Sequence, residues 1–224
     1  VRPALIRTLN DLNLDFLDLY LIHWPVSHQH GVALAREASE QISRAELPLA
    51  ETWQAMEALV QEGLVGAIGV SNFSELKLTQ LMQSANIFPS VNQVERHPYL
   101  QQTSLMNFCK DHQIVLTAYS PLGSGGDGSE NLLEDPLIQA IGAEHGCSPA
   151  QVLLAWGLAQ ETVVIPKSVQ LERLRSNFDA GSIKLTVEDM TKINQLDRKH
   201  RFNSGEIWFL EGGSYNATNL WDES

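Results

Sequence analysis

Hydrophobic positions along this chain follow two rhythms that take turns. Short unbroken or β-branched runs, "LDLYLI", "VGAIGV", "VNQV", "VLTAY" and "TVVIP", read as strands, the first of them a buried one. Between them, apolar residues recur three or four apart. "VRPALIRTLNDLNL" has Pro3 near a helix start, Leu5, Leu9 and Leu12 on one face and Asn13 as a stop. "TWQAMEALVQEG" aligns Trp53, Met56, Leu59 and Val60 and ends on Gly63. Ser74 caps "SELKLTQLMQSAN" ahead of Leu78, Leu81 and Met82. Further helices are expected in "TSLMNFCKDHQ", "DPLIQAIGAEHG", "SPAQVLLAWGLAQE", "SVQLERLRSNF" and "TVEDMTKINQLD". Ser148 with Pro149 opens the third of these, and a Thr186 to Asp189 capping box opens the last. Strand and helix in alternation predict a parallel sheet of roughly five strands, because each return to a parallel neighbour needs a crossover helix.

Residues 200–224 break the rhythm. This Gly- and Asn-rich tail carries Trp208, Phe209, Tyr215 and Trp221, more aromatic surface than a disordered segment holds, so it is expected to pack on the body, as a plain strap or as a strap that also walls a pocket.

Composition narrows the function classes. The 224 residues carry a formal net charge of -12, with only 15 Lys and Arg, which argues against a nucleic-acid partner. No apolar run approaches the roughly 20 residues of a membrane span, and no signal peptide opens the chain, so a cytoplasmic location is expected. The two cysteines, Cys109 and Cys147, have no paired spacing, and no His, Asp or Glu set has metal-ligand spacing. No metal and no obligate protein partner are inferred.

Sites of parallel sheets lie at the carboxyl ends of the strands. Those ends carry His23 and Trp24; Ser71 and Asn72; Gln93, Glu95, Arg96 and His97; Tyr119 and Ser120; Lys167 and Ser168. Each has a structural reading: a strand-end histidine can be a satisfied framework residue, Ser71 and Asn72 can cap the next helix, and Tyr119 can be core. All five ends carrying polar or stacking groups at one face point to a single pocket. The sharpest feature is "IPKSVQLERLR": Lys167, Arg173 and Arg175 crowd a helix start, where the dipole penalises cations by roughly 0.3–1 kcal/mol each unless an anion is bound. The alternative is a solvated basic face.

"LDLYLIHWP", "GAIGVSNF", "VNQVERHPY", "AYSPLG" and "IPKSV" followed by Arg173 and Asn177 resemble, in order, the aldo-keto reductase family. The resemblance runs through residues 1 to about 200 and implies a (β/α)8 barrel whose last five strands, the fourth to the eighth, occupy residues 1–199. Residues 200–224 would then be a C-terminal loop packing on the barrel. It implies NADPH-dependent reduction of small-molecule aldehydes and ketones, of the alcohol dehydrogenase or aldehyde reductase type. His23 would orient the substrate and Trp24 would contact it. Ser71, Asn72 and Gln93 would hold the nicotinamide carboxamide, Tyr119 would stack on its ring, and Ser120 and Leu122 would also contact the cofactor. Lys167, Ser168, Arg173 and Asn177 would hold the 2′-phosphate and adenine; Ser176 stands where members often carry Glu.

The bottom-up chemistry agrees: hydride transfer needs a flat platform, groups that fix the nicotinamide face, and a donor that polarises the carbonyl. The family's proton donor, a tyrosine with a lysine and an aspartate, comes from earlier barrel strands than those read here. The expectation is therefore a chain without its N-terminal third, inactive alone, or alternatively a non-catalytic NADP-binding or structural derivative.

Overall fold

The computed structural model describes residues 1–123 and 130–222; the last two residues of the tail, Glu223 and Ser224, lie outside the described set. In chain order the main elements are α1 (Arg2–Leu12), β1 (Leu17–Ile22), β2 (Ser27–His28), β3 (Gln41–Ile42), α2 (Leu49–Gln61), β4 (Val65–Ser71), α3 (Glu75–Met82), β5 (Val91–Glu95), α4 (Thr103–Asp111), β6 (Val115–Tyr119), α5 (Pro136–Glu144), α6 (Pro149–Ala159), β7 (Val163–Val164), α7 (Leu171–Asp179), α8 (Val187–Asn194) and α9 (Ala217–Trp221). Five strands share one sheet in the order β1-β4-β5-β6-β7, so the fold is α/β. The chain divides into two compact units, residues 1–92 with 205–224, and residues 93–204.

In the first unit β1 and β4 run parallel, from Leu17 opposite Val65 to Ile22 opposite Val70. Leu5 and Leu9 of α1, Trp53, Met56 and Leu59 of α2, and Leu78 and Leu81 of α3 are buried with Ile68 and Val70. Two expectations are corrected. Leu12 is 56% exposed, because α1 ends there and Asn13 turns into the left-handed region. β1 is not a buried strand: it stands at the end of the sheet order, and Leu19 is 39% exposed. The β2–β3 antiparallel pair was invisible to periodicity, since two-residue strands carry no period.

From Gly205 on, the tail belongs to this unit. The Tyr215 hydroxyl donates to the Ile42 carbonyl at 2.7 Å and accepts from the Ser27 amide at 2.8 Å. Gln41 donates from Nε2 to the Trp208 carbonyl and accepts the Ser214 amide. Gly205 sits at φ +81, and a Cβ there would meet Leu220 at 2.5 Å, so only glycine fits.

In the second unit β6 and β7 are parallel, Thr117 opposite Val163 and Ala118 opposite Val164. Leu132, Ile138, Val152, Leu153, Trp156, Ile193 and Phe202 form its core. The caps follow the sequence. Ser148 and Gln151, and Thr186 and Asp189, make reciprocal capping boxes, while Asp135 accepts the Leu137 and Ile138 amides. Near the end of α6, Ala159 is exposed.

Candidate functional site

In the first unit β1 delivers His23 and Trp24 directly past its last paired residue. The His23 ring is exposed, while its backbone carbonyl is held by Asn72 Nδ2 at 3.0 Å; the same amide reaches Ser71 Oγ at 3.2 Å. Asn72 is 2% exposed and adopts φ +64, a conformation that asparagine tolerates better than most residues. The structure thus joins His23, Ser71 and Asn72, with Asn72 bracing the strand end that carries the histidine.

Trp24 packs within an aromatic cluster, its ring centroid 6.3 Å from His23, 5.9 Å from Trp208 and 5.8 Å from Trp221. His28 stacks on Trp208 at 6.1 Å. Trp208 Nε1 is buried without a hydrogen-bond partner among the described residues.

The second unit holds the remaining predicted residues. Tyr119, Ser120, Leu122 and Lys167 line a cavity of about 450 Å³. Leu122, Lys167, Ser168, Arg173 and Asn177 line an adjoining one of about 380 Å³ with Leu133, Ser148, Pro149, Ala150 and Ser176. Leu122, Leu133 and Lys167 belong to both, so the two form one groove. Among the described residues, no carboxylate lines the second cavity of this acidic protein. Lys167 and Arg173 are exposed and make no ion pair among the described residues. The start of α7 has Gln170 at its N-cap without a side-chain cap bond, which leaves first-turn amides for an outside acceptor. Arg175 does not line the groove.

Burial drives the Tyr119 hydroxyl well above the ordinary tyrosine range, reinforced by the Glu95 charge. It is therefore a poor proton donor and stays neutral at physiological pH. The other tyrosines are equally unsuited. Burial raises Tyr20; Tyr99 is pushed to about 12 by burial and by donating to Asp135; and the Tyr215 hydroxyl is committed to the β2–β3 pair.

Gln93 is partly exposed in β5, but its polar neighbours Glu95, Arg96 and His97 are framework groups. Arg96 donates to Gln101 O, Thr162 Oγ1 and Gln160 Oε1 at 2.9–3.0 Å and lies over the Trp156 ring. Glu95 accepts the Phe202 and Asn203 amides and contacts His97 Nε2 at 2.9 Å. Burial alone would raise its carboxyl, but these donors hold it below its usual value.

Sequence reading missed Leu133, Ser148, Pro149 and Ala150 in the groove. Ser148 and Pro149 carry a clear cap signal, and nothing local says that a cap also lines a cavity.

Comparison with known proteins matches residues 1–198 to the model of the Aldo/keto reductase family. The chain is 51% identical over its whole length to aldo/keto reductase slr0942 of Synechocystis sp., spanning 70% of that protein. It is 45% identical over 99% of its length to aldo-keto reductase family 4 member C11 of Arabidopsis thaliana, again 70% of the relative. With aldo-keto reductase family 1 member A1 of Homo sapiens it shares 40% over 90% of the chain and 64% of the relative. A family match across most of the chain, with relatives up to 51% identical, is decisive: the chain belongs to the aldo/keto reductase family of oxidoreductases.

Proposed function

We propose that the protein reduces small-molecule aldehydes and ketones with NADPH, in the cytoplasm, on a (β/α)8 barrel to which β1 and β4–β7 contribute. The observation that carries this reading is the groove from Tyr119 to Asn177, whose far end presents Lys167 and Arg173 with no carboxylate among its described lining residues. The donor set fits a phosphorylated dinucleotide. Two unpaired cations and an uncapped helix start suit a 2′-phosphate, Asn177 and Ser176 suit an adenine edge, and the buried Tyr119 suits a planar ring.

The cofactor, when bound, supplies the hydride. Tyr119 provides the stacking face, and Ser120 and Leu122 shape the groove beside it. Ser71, Asn72 and Gln93 are the amide and hydroxyl groups assigned to the carboxamide, which fixes the ring face presented to the substrate. His23 would donate an imidazole N–H hydrogen bond to the carbonyl oxygen and steady the charge that develops there, and the alkoxide left by hydride addition would take its proton from water. Trp24, with Trp208 and Trp221, offers an apolar wall for the substrate.

Titration of the protein's fluorescence with NADPH and NADH, followed by NADPH oxidation over an aldehyde panel, tests the reading. Tighter NADPH than NADH binding and aldehyde-dependent oxidation are expected. Absence of NADPH association overturns the proposal, and association without turnover on any carbonyl favours the non-catalytic derivative.

A further inference from the structure

A second cationic site lies in the first unit, remote in sequence from the groove. A cavity of about 210 Å³ is lined by Arg44, the first residues of α2 (Leu49 and Ala50) and, from α3, Lys77 and Gln80. Lys77 is fully buried, an expensive position for an ammonium unless anions surround it. Its only ion-pair partner among the described residues is Asp222, which also accepts from Ser74 Oγ. Arg44 stands close enough that its charge disfavours the Lys77 ammonium, and burial disfavours both cations. Among the described residues, two positive groups thus share one carboxylate.

Arg44 reaches the Pro25 carbonyl through NH2, but its Nε is buried with no hydrogen-bond partner among the described residues. α2 opens on Pro48, which has no side-chain acceptor for the first-turn amides. Among the described residues, a net positive cluster, an unsatisfied guanidinium N–H, a 13-residue helix without a side-chain cap and a cavity meet at one place.

We propose that this cavity binds an oxyanion of phosphate size, held by Arg44, Lys77 and the first turn of α2. The volume is below the roughly 300 Å³ at which organic-ligand pockets begin, which suits a small ion or a single phosphoryl or sulfuryl group. Because Asp222 already occupies Lys77, it competes electrostatically with the incoming anion. Asp222 follows directly on α9, whose Trp221 packs on Trp24, so the site is tied to the wall beside His23. Binding here stands independently of the carbonyl-reductase reading.

The test is calorimetric titration with inorganic phosphate at constant ionic strength, chloride as control, on the Lys167→Ala/Arg173→Ala double variant, whose groove no longer offers a phosphate clamp. Saturable binding in that background is expected. Adding Arg44→Gln should weaken it about tenfold or more, the worth of one charge-assisted hydrogen bond. Adding Asp222→Asn should tighten it severalfold. No saturable binding beyond chloride, or phosphate affinity unchanged in both added variants, overturns the site. Should Arg44→Gln fail to fold, Asp222→Asn decides alone: unchanged or weaker affinity sinks the proposal.

Discussion

Arg96 and Arg173 belong to the same compact unit and carry the same side chain, yet their surroundings are opposite. Arg96, 1% exposed, spends its guanidinium on three oxygen acceptors and the face of Trp156. Burial lowers it, to about 10, and it still carries its proton at neutral pH. Among the described residues, Arg173 is exposed, unpaired and set on the wall of a groove without carboxylates. A polar group at a strand end or helix start therefore does not announce a ligand site. What distinguishes the two is whether the protein has already satisfied the group's hydrogen bonds, because an unspent donor facing a cavity is available to something else.

The largest effect should come from the satisfied member. Arg96→Met orphans the Gln101, Thr162 and Gln160 oxygens, and urea unfolding should show a loss of roughly 3–5 kcal/mol, the lower part of the range that about 1–3 per abandoned acceptor allows. NADPH affinity of the folded fraction should stay within about twofold. A loss below 1 kcal/mol would erase the contrast.

His23→Ala, at an exposed group, should leave stability within about 0.5 kcal/mol but lower carbonyl turnover about a hundredfold. Cofactor affinity should not move, and unchanged turnover would remove His23 from the chemistry.

Arg173→Ala, and separately Lys167→Ala, should each weaken NADPH roughly tenfold to a hundredfold, with NADH affected only a few-fold, since only NADPH has the phosphate they would grip. Thermal midpoints should barely change. Equal losses for both cofactors would show that the two cations serve no 2′-phosphate.

Lys77 sharpens the comparison through pH. Its folded-state pKa is lowered to about 8 from 10.5, burial being the largest cause and the Arg44 charge a smaller one. Above pH 8 the folded chain releases this proton while the unfolded chain keeps it up to about 10.5. The contribution to stability therefore rises with pH across that window, by at most roughly 1.4 kcal/mol per unit. Below pH 8 both states are protonated and it is flat. Lys77→Met should remove this slope from the difference between parent and variant unfolding curves measured from pH 7 to 10; an unaltered slope would refute the lowered value.

The chain's own sequence determined what depends on near neighbours. Alternating periodicities specified the order of the five sheet strands and their helices. Caps such as Ser148 with Gln151 and Thr186 with Asp189 form between residues three apart, so they survive any change of context. The motifs that carry the family resemblance are likewise continuous stretches. Tertiary structure alone decided that Glu95, Arg96 and His97 are framework and not site, because their partners lie as far off as Thr162 and Phe202. It alone paired β2 with β3, seated Tyr215 on that pair, and brought Asp222 back to Lys77 across 145 residues. Hydrogen bonding within one turn is encoded locally, whereas the satisfaction of a buried polar group depends on which distant segments the packed core brings beside it.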